Sequence, residues 1–350
     1  MRLEDVCTVF ADGDWIESKD QSEEGIRLVQ TGNIGEGIYL EKESRAKYIS
    51  EDTFKRLKCT EIFTGDILVS RLPEPVGRAC IIPEKTERMI TAVDCTICRP
   101  DENLISKEYL CYFMRSNIYY ARLLGNVTGT TRKRISRKNL GNVELRVPPK
   151  EEQKEVVERL DCLVKVIDSR TKELQLLDDL IKARFVEMFG DPIENTKKLP
   201  TERMDKRFYL KAGITTPADE IHEYSQGEYE IPCYGGNGIR GYVQEKSYDG
   251  NYPIIGRQGA LCGNVQYASG EFHATEHAVL VSILQDDNVI WVYYMLKLLD
   301  LYRYHTGAAQ PGLAVKTLNT VDVIVADREL QNQFAVFVEQ VDKSKLILMR

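Results

Sequence analysis

The segment KEEQKEVVERLDCLVKVIDSRTKELQLLDDLIKARFVEMFG, Lys150 to Gly190, decides how the rest of the chain is read. Apolar residues recur at Val156, Leu160, Leu163, Ile167, Leu174, Leu177, Ile181 and Met188, the alternating three- and four-residue spacing of a coiled-coil seam. No Gly or Pro interrupts it between Pro149 and Gly190. Pro148 and Pro149 precede it, Glu151 and Glu152 suit a positive helix N-terminus, and Gly190-Asp191-Pro192 supplies a stop. At about 1.5 Å per residue such a helix runs roughly 60 Å, longer than a typical globular domain is wide. The expectation is a spacer. Arg170 and Arg184 fall on the seam, which points to a specific partner rather than generic association. Periodicity alone leaves open an ordinary amphipathic helix on one large domain.

Working outward, 350 residues allow two domains or more, each able to bury its own core. The N-terminal MRLEDVC lacks the apolar core of a signal peptide, and no run approaches the roughly 18 apolar residues of a membrane span, so a cytoplasmic protein is expected. Nine scattered cysteines fit reduced thiols. Cys95-Thr-Ile-Cys98 is a single CxxC within a strand-like run, without a second pair or a nearby His, and is read as structural. The net charge of -7 argues mildly against a nucleic-acid partner without excluding a basic face.

Residues 1–149 read as a domain of short strands punctuated by Gly turns, with runs such as Asp66–Arg71 and Ala92–Cys98. One amphipathic helix is predicted from about Ser106 to Leu124, with Leu110, Phe113, Met114 and Tyr120 inward. After it comes Thr128-Gly-Thr-Thr-Arg-Lys-Arg-Ile-Ser-Arg-Lys138, the densest basic stretch. Hydroxyls and a flexible Gly beside cations make a mixture suited to phosphates and base edges. Residues 191–327 repeat this plan. Arg71 and Gly77 correspond to Arg257 and Gly263. Tyr109, Leu110 and Phe113 answer to Trp291, Val292 and Met295, and Thr128-Gly129 to Thr306-Gly307. The register continues through Ile135 with Leu313, Leu140 with Leu318, Val143 with Val321, Val147 with Val325 and Gln153 with Gln331. Val156, Leu160 and Leu163 then match Phe334, Val338 and Val341, so residues 328–350 form a second copy of the helix. Two such helices can pack antiparallel and hold two domains apart. Lys345 falls on the second seam and the sequence stops at Arg350 after about six turns, so the pair is expected to be only partly formed.

Two motifs invite other readings. His273-Ala-Thr-Glu276-His277 matches the H-x-x-E-H pattern of zinc hydrolases, which needs both imidazoles on one helix face. Gly270 before it and Ala278–Leu284 after it read instead as turn and strand, where the two imidazoles stand too far apart to chelate one ion easily. Gly236-Asn-Gly-Ile-Arg-Gly241 fits the dinucleotide fingerprint, but no helix follows to hold a pyrophosphate. It reads as a hairpin, or as a loop that approaches a ligand closely. With no positioned nucleophile, paired carboxylates or P-loop, two equivalent heads point to recognition rather than catalysis.

Taken together, Gly65–Arg71, Asn139–Pro149 running into Glu152-Gln153, Phe185–Pro192, Tyr234–Gly241, Gly256–Gly259, His273–His277 and Leu330–Phe334 resemble the specificity subunit of a Type I restriction-modification system over nearly the whole chain. The resemblance implies an α/β (α+β) fold: target-recognition domains at 1–149 and 191–327, long coiled-coil helices at 150–190 and 328–350, and a pseudo-twofold internal repeat. Each domain would read one half of a bipartite site in double-stranded DNA. The helices, through Leu160, Leu163, Ile167, Leu174, Leu177 and Ile181, would bind two modification subunits, and a restriction and motor subunit would join them. S-adenosylmethionine, ATP and Mg would belong to those partners; this chain would hold no cofactor or metal and no catalytic residue. The residues expected to contact DNA are Arg71, Thr128, Gly129, Thr130, Arg132, Lys133, Arg134, Gly235, Asn237, Arg240, Arg257, Gln258, Thr306 and Gln310. Arg and Gln suit bidentate base contacts, and Gly amides suit phosphate. The readings kept beside this one are a metal-dependent hydrolase using His273, Glu276 and His277, and a two-headed protein-binding scaffold. The C-terminal helix departs from the family pattern by its shortness.

Overall fold

A computed structural model describes residues 1–72, 75–129, 133–307 and 311–349. Contacts divide the chain into two units, Met1–Val166 and Ile167–Arg350, with the division inside the long helix.

Short β-branched runs between Gly and Asx turns give the first unit eight strands: β1 (Cys7–Asp12), β2 (Ile26–Val29), β3 (Tyr48–Ile49), β4 (Glu61–Ile62), β5 (Ile67–Ser70), β6 (Ala79–Ile81), β7 (Met89–Thr91) and β8 (Cys95–Pro100). They form two four-stranded sheets, in the orders β1-β8-β5-β6 and β3-β2-β7-β4. Only β2 and β7 pair in parallel; the other pairings are antiparallel. Strand β5 shows why the middle of the first sheet is apolar on both faces. Successive side chains point to opposite faces. Ile67 and Val69 therefore enter a cluster with helices α2 and α3 described below, while Leu68 enters a cluster with Val29, Ile62 and Met89 of the second sheet.

Helix α1 (Glu51–Leu57) connects β3 to β4, and α2 (Lys107–Phe113), α3 (Asn117–Leu124) and α4 (Arg137–Gly141) follow β8. The single helix expected over 106–124 is thus two. Ser106 accepts from the Tyr109 amide and Ser116 from the Tyr119 amide, each at 3.2 Å, and the second cap starts a new helix where periodicity saw none. The reorientation buries Tyr119 rather than Tyr120, with the Tyr119 hydroxyl donating to Gly77 O at 2.9 Å.

Helix α5 (Lys150–Phe189) runs unbroken for 40 residues. The second unit repeats the first: β9 (Thr201–Arg203), α6 (Met204–Arg207), β10 (Phe208–Ala212), β11 (Ile231–Gly235), β12 (Gly238–Val243), β13 (Tyr248–Asp249), β14 (Tyr252–Gly256), β15 (Val265–Ala268), β16 (Glu271–Ala274), β17 (Ala278–Ile283), α7 (Val289–Leu298), α8 (Val315–Leu318), β18 (Asp322–Ile324) and α9 (Arg328–Leu348). Its sheets have the orders β10-β17-β14-β15 and β12-β11-β16-β13, with β11 and β16 the parallel pair. Strand for strand this is the topology of the first unit; β9 and β18 add a two-stranded ladder.

Within the second unit the last turns of α5 pack against α9. Phe185 and Phe189 lie edge-on to Phe334 at 5.4 and 5.9 Å, and farther along Lys345 reaches Asp178 at 2.7 Å. Residue numbers fall on α5 as they rise on α9, so the pair is antiparallel. Lys345 sits on the seam as expected, its charge held by Asp178 and Asp342.

One buried amide ties helix to head in each unit. Gln153 accepts from Ser106 N at 2.8 Å and donates to Leu104 O at 2.9 Å and Pro148 O at 2.8 Å. Gln331 accepts from Asn288 N at 2.7 Å and donates to Asp287 at 2.8 Å and Ala326 O at 3.0 Å. Both are 1% exposed.

Candidate nucleic-acid interface

In each unit one five-residue turn between two strands ties together the segments named from the sequence. In the first unit it is Thr91–Cys95, between β7 and β8. Gly13 donates to Cys95 O at 2.9 Å, Asp14 to Thr91 O at 2.8 Å, and Arg71 to Asp94 O at 2.9 Å. The Asp94 carboxylate holds Arg134 at 3.0 Å, and Arg71 O accepts from Ile135 N at 3.2 Å. In the second unit the turn is Ala274–Ala278. Gly213 donates to Ala278 O at 2.9 Å, Ile214 to Ala274 O at 2.8 Å and Arg257 to His277 O at 3.0 Å, while Arg257 O accepts from Leu313 N at 2.8 Å. The first position of contact permits no side chain. A Cβ on Gly13 would lie 2.4 Å from the carbonyl oxygens of Thr91 and Ala92, and one on Gly213 would lie 2.2 Å from Ala274 O.

This is the place of the H-x-x-E-H match. His273 stands on β16 and His277 in the turn. His273 Nε2 pairs with the Thr216 hydroxyl at 2.8 Å, whereas His277 Nε2 meets Glu276 at 3.1 Å, so the imidazoles have different partners. Burial pushes His273 below its ordinary pKa. Among the described residues no three Asp, Glu, His or Cys side chains gather as a metal site.

Beside each turn a loop is closed by paired backbone bonds. Thr128 and Arg134 exchange them at 2.9 and 2.8 Å, and Thr306 and Gly312 at 2.8 and 2.9 Å. Both loops therefore span seven residues and start on Thr-Gly. Thr128, Gly129, Lys133, Arg134 and Thr306 are exposed. Thr130, Arg132 and Gln310 lie outside the described residues.

In the second unit a further loop joins the cluster. Strands β11 and β12 form a hairpin turning at Gly236-Asn237, in place of a cofactor-binding helix. The turn presses on the end of β14, where a Cβ on Gly256 would sit 2.0 Å from Gly236 O. Gln258 is exposed and bridges to Gly312, Arg240 and Asn237 are exposed, and Asn264 donates to Asn237 Oδ1 at 2.6 Å. The structure thus gathers Asn237, Arg257, Gln258 and Thr306 in one place.

Several expectations change. Arg71 is 4% exposed, and its guanidinium donates to Val93 O and faces Asp12 at 3.3 Å. It anchors the turn and the 128–134 loop from inside and presents no donor to a ligand. Burial lowers its pKa, and Asp12 opposes that shift. Gly235 is also buried, beneath Arg240, and is corrected from a contact to a support. Of the seam residues, Ile181 is fully buried in the second unit's core and is not free for another chain, while Leu177 packs on the same core but is only partly buried. Leu163 and Ile167 are 58% and 62% exposed, and Leu160 and Leu174 are half-buried.

Sequence reasoning missed the first unit's counterpart of the Gly236 hairpin. Ala92 donates to Val29 O as Thr275 donates to Tyr234 O, each at 2.9 Å, so Gln30-Thr31-Gly32 stands where Gly235-Gly236-Asn237 does. Each turn carries a Gly-Asn pair, Gly32-Asn33 and Gly236-Asn237, but the two are one residue out of register, so sequence alignment does not match them. Asp94 was also missed, since no spacing marks its grip on Arg134. Arg71 Nε, Arg257 Nε, Thr275 Oγ1 and His277 Nδ1 are buried atoms without a protein partner, and all lie at these two turns.

A family model described as Type I restriction modification DNA specificity domain matches residues 1–178 and 205–350, covering both units. The chain belongs to this family. The Type I restriction enzyme EcoprrI specificity subunit of Escherichia coli is 45% identical over 152 residues, 43% of this chain and 37% of its own length. The chain thus spans well under half the length of that curated relative. Among solved structures, the Type-I restriction-modification system S subunit from M. genitalium superposes with a TM-score of 0.58 at 16% identity, covering 100% of this chain and 90% of that one. A chain from work on complex assembly and conformational transition of the type I R-M system gives 0.51 at 17% identity, covering 99% and 90%. The structural likenesses establish the fold. No helix among the described residues is long and apolar enough to cross a membrane.

Proposed function

We propose that this chain is the DNA sequence-recognition subunit of a Type I restriction-modification complex, each unit reading one half of a bipartite site in double-stranded DNA. The observation that carries the reading is the duplicated turn, with an Arg strand end and a Thr-Gly loop hung on it in both units of a family member. Lys133, Arg134, Asn237, Arg240, Arg257, Gln258 and Thr306 supply donors for phosphates and base edges. The basic stretch that begins at Thr128 lies on an acidic chain, so its attraction to DNA is local.

The exposed face of α5 around Leu163 and Ile167 is the docking surface for modification subunits, two per specificity subunit, which a restriction and motor subunit joins. Those partners supply S-adenosylmethionine, ATP and Mg, and adenine methylation and cleavage occur on them, in the cytoplasm. This chain directs the chemistry and performs none.

The test is co-expression with the cognate modification subunit in a host free of methylation, followed by long-read mapping of modified adenines. One split motif, two short halves around a fixed gap, is the expected result. A stable complex that methylates nothing would remove the two turns from the role of reading heads.

A further inference from the structure

The strand that opens each unit's first sheet ends at the turn just described, and beyond that end each unit holds an apolar side chain in solvent. In the first unit it is Trp15, 70% exposed; in the second it is Ile214, 52% exposed. The chain's other tryptophan, Trp291, is fully buried. Single exposed apolar side chains are common on protein surfaces; these two are singled out by their place just beyond β1 and β10, beside the two turns.

The backbone carrying these side chains is fixed. Gly13 and Asp14 are bonded to the Thr91–Cys95 turn, and the Asp14 carboxylate accepts from Thr60 N at 2.9 Å. Ile214 is bonded to Ala274, and Thr216, two residues on, meets His273. At the end of β1, three residues before Trp15, Asp12 faces the buried Arg71 at 3.3 Å and the exposed Arg137 at 4.0 Å. The nearby acid is already matched: Glu17 accepts from the indole N–H at 3.4 Å and is paired with Lys19 at 2.7 Å. A pinned backbone and a projecting apolar group recur on both turns, although the two sequences differ there.

Building on the DNA-reading function, we propose that Trp15, and Ile214 in the second unit, are apolar DNA contacts that press on the duplex in a groove and read its base stack. In the first unit the exposed Lys133, Arg134 and Arg137 would grip phosphates, and the apolar group would test how readily the local step unstacks or presents a thymine methyl. Such a contact reads sequence through deformability, which hydrogen-bonding loops do not.

The test uses the complete chain assembled with its modification subunits, and labelled duplex carrying the mapped site. W15A is expected to weaken binding roughly 5- to 100-fold, the range for loss of one aromatic base contact, with W15F retaining most of the affinity. In the chain by itself, duplex should quench or shift the emission of Trp15, the exposed indole. Methylome mapping of W15A should relax the half-site read by the first unit and leave the other intact, whereas I214A does the reverse. Wild-type binding with unaltered emission, together with W15A affinity equal to wild type, overturns the contact while leaving the reading function standing. A wild-type complex that binds no duplex overturns both.

Discussion

Replacing Gln331 by Ala removes a buried amide that holds α9 to the second head, and the structure sets the size of the loss. Three bonds disappear: from Asn288 N at 2.7 Å, to Asp287 at 2.8 Å and to Ala326 O at 3.0 Å. At about 1 kcal/mol net each they sum to roughly 3 kcal/mol. Asp287 keeps Arg207 at 2.6 Å and is not orphaned. The Asn288 amide and Ala326 carbonyl are left facing a gap, which raises the cost toward about 5 kcal/mol if water stays out and lowers it to about 2 if water enters. The reporter is built in, because Trp291 is fully buried and lies one turn along α7 from Asn288. With Trp15→Phe as background, Trp291 emission follows unfolding of the second unit. At a urea slope of about 2–3 kcal/mol per molar, the midpoint should fall by roughly 1 M. A fall under about 0.3 M would refute the reasoning. The equivalent change, Gln153→Ala, should free the Ser106 amide to rapid hydrogen exchange.

Further outcomes follow from the same geometry. Leu163→Asp with Ile167→Asp should abolish co-purification with the modification subunit while far-UV circular dichroism stays unchanged, because both side chains are solvent-exposed. A normal complex would remove this face from the interface. Lys133→Glu should weaken DNA binding across all sequences and flatten its dependence on salt, whereas Arg257→Ala should relax one position of the second half-site, both read by titration at several ionic strengths. His273 is held below its ordinary pKa by burial, so the folded unit favours neutral imidazole. Its contribution to stability is present above the unfolded value, about 6.5, and is lost as pH falls through the lower folded one. His273→Gln should therefore make the second unit's urea midpoint less sensitive to pH below about 6.5.

The sequence by itself determined the elements whose reasons are local. An unbroken apolar period without Gly or Pro makes α5 one helix wherever it packs, and it runs Lys150–Phe189. The repeat was also legible, because equivalent structure requires residues of the same type at matching points. The register found from Arg71 and Arg257, Thr128 and Thr306, and Gln153 and Gln331 is the register of the hydrogen bonds. Local reading failed at Ser116, whose hydroxyl could cap a new helix or lie idle on a continuous one.

Only the tertiary structure decided which residues face outward and what meets what. Ile181 and Ile167 hold the same kind of place in the period, yet one is fully buried and the other 62% exposed, since α9 covers the last turns of α5 and not its middle. Arg71 resembles Arg257 in sequence, but its guanidinium turns inward to Val93 and Asp12. The joining of Gly13, Arg71 and Arg134 at one turn, and of Gly213, Ile214 and Arg257 at the other, depends on backbone bonds between segments far apart in the chain. Period and propensity record only near neighbours, so a site assembled by strand pairing across such distances leaves little trace in them.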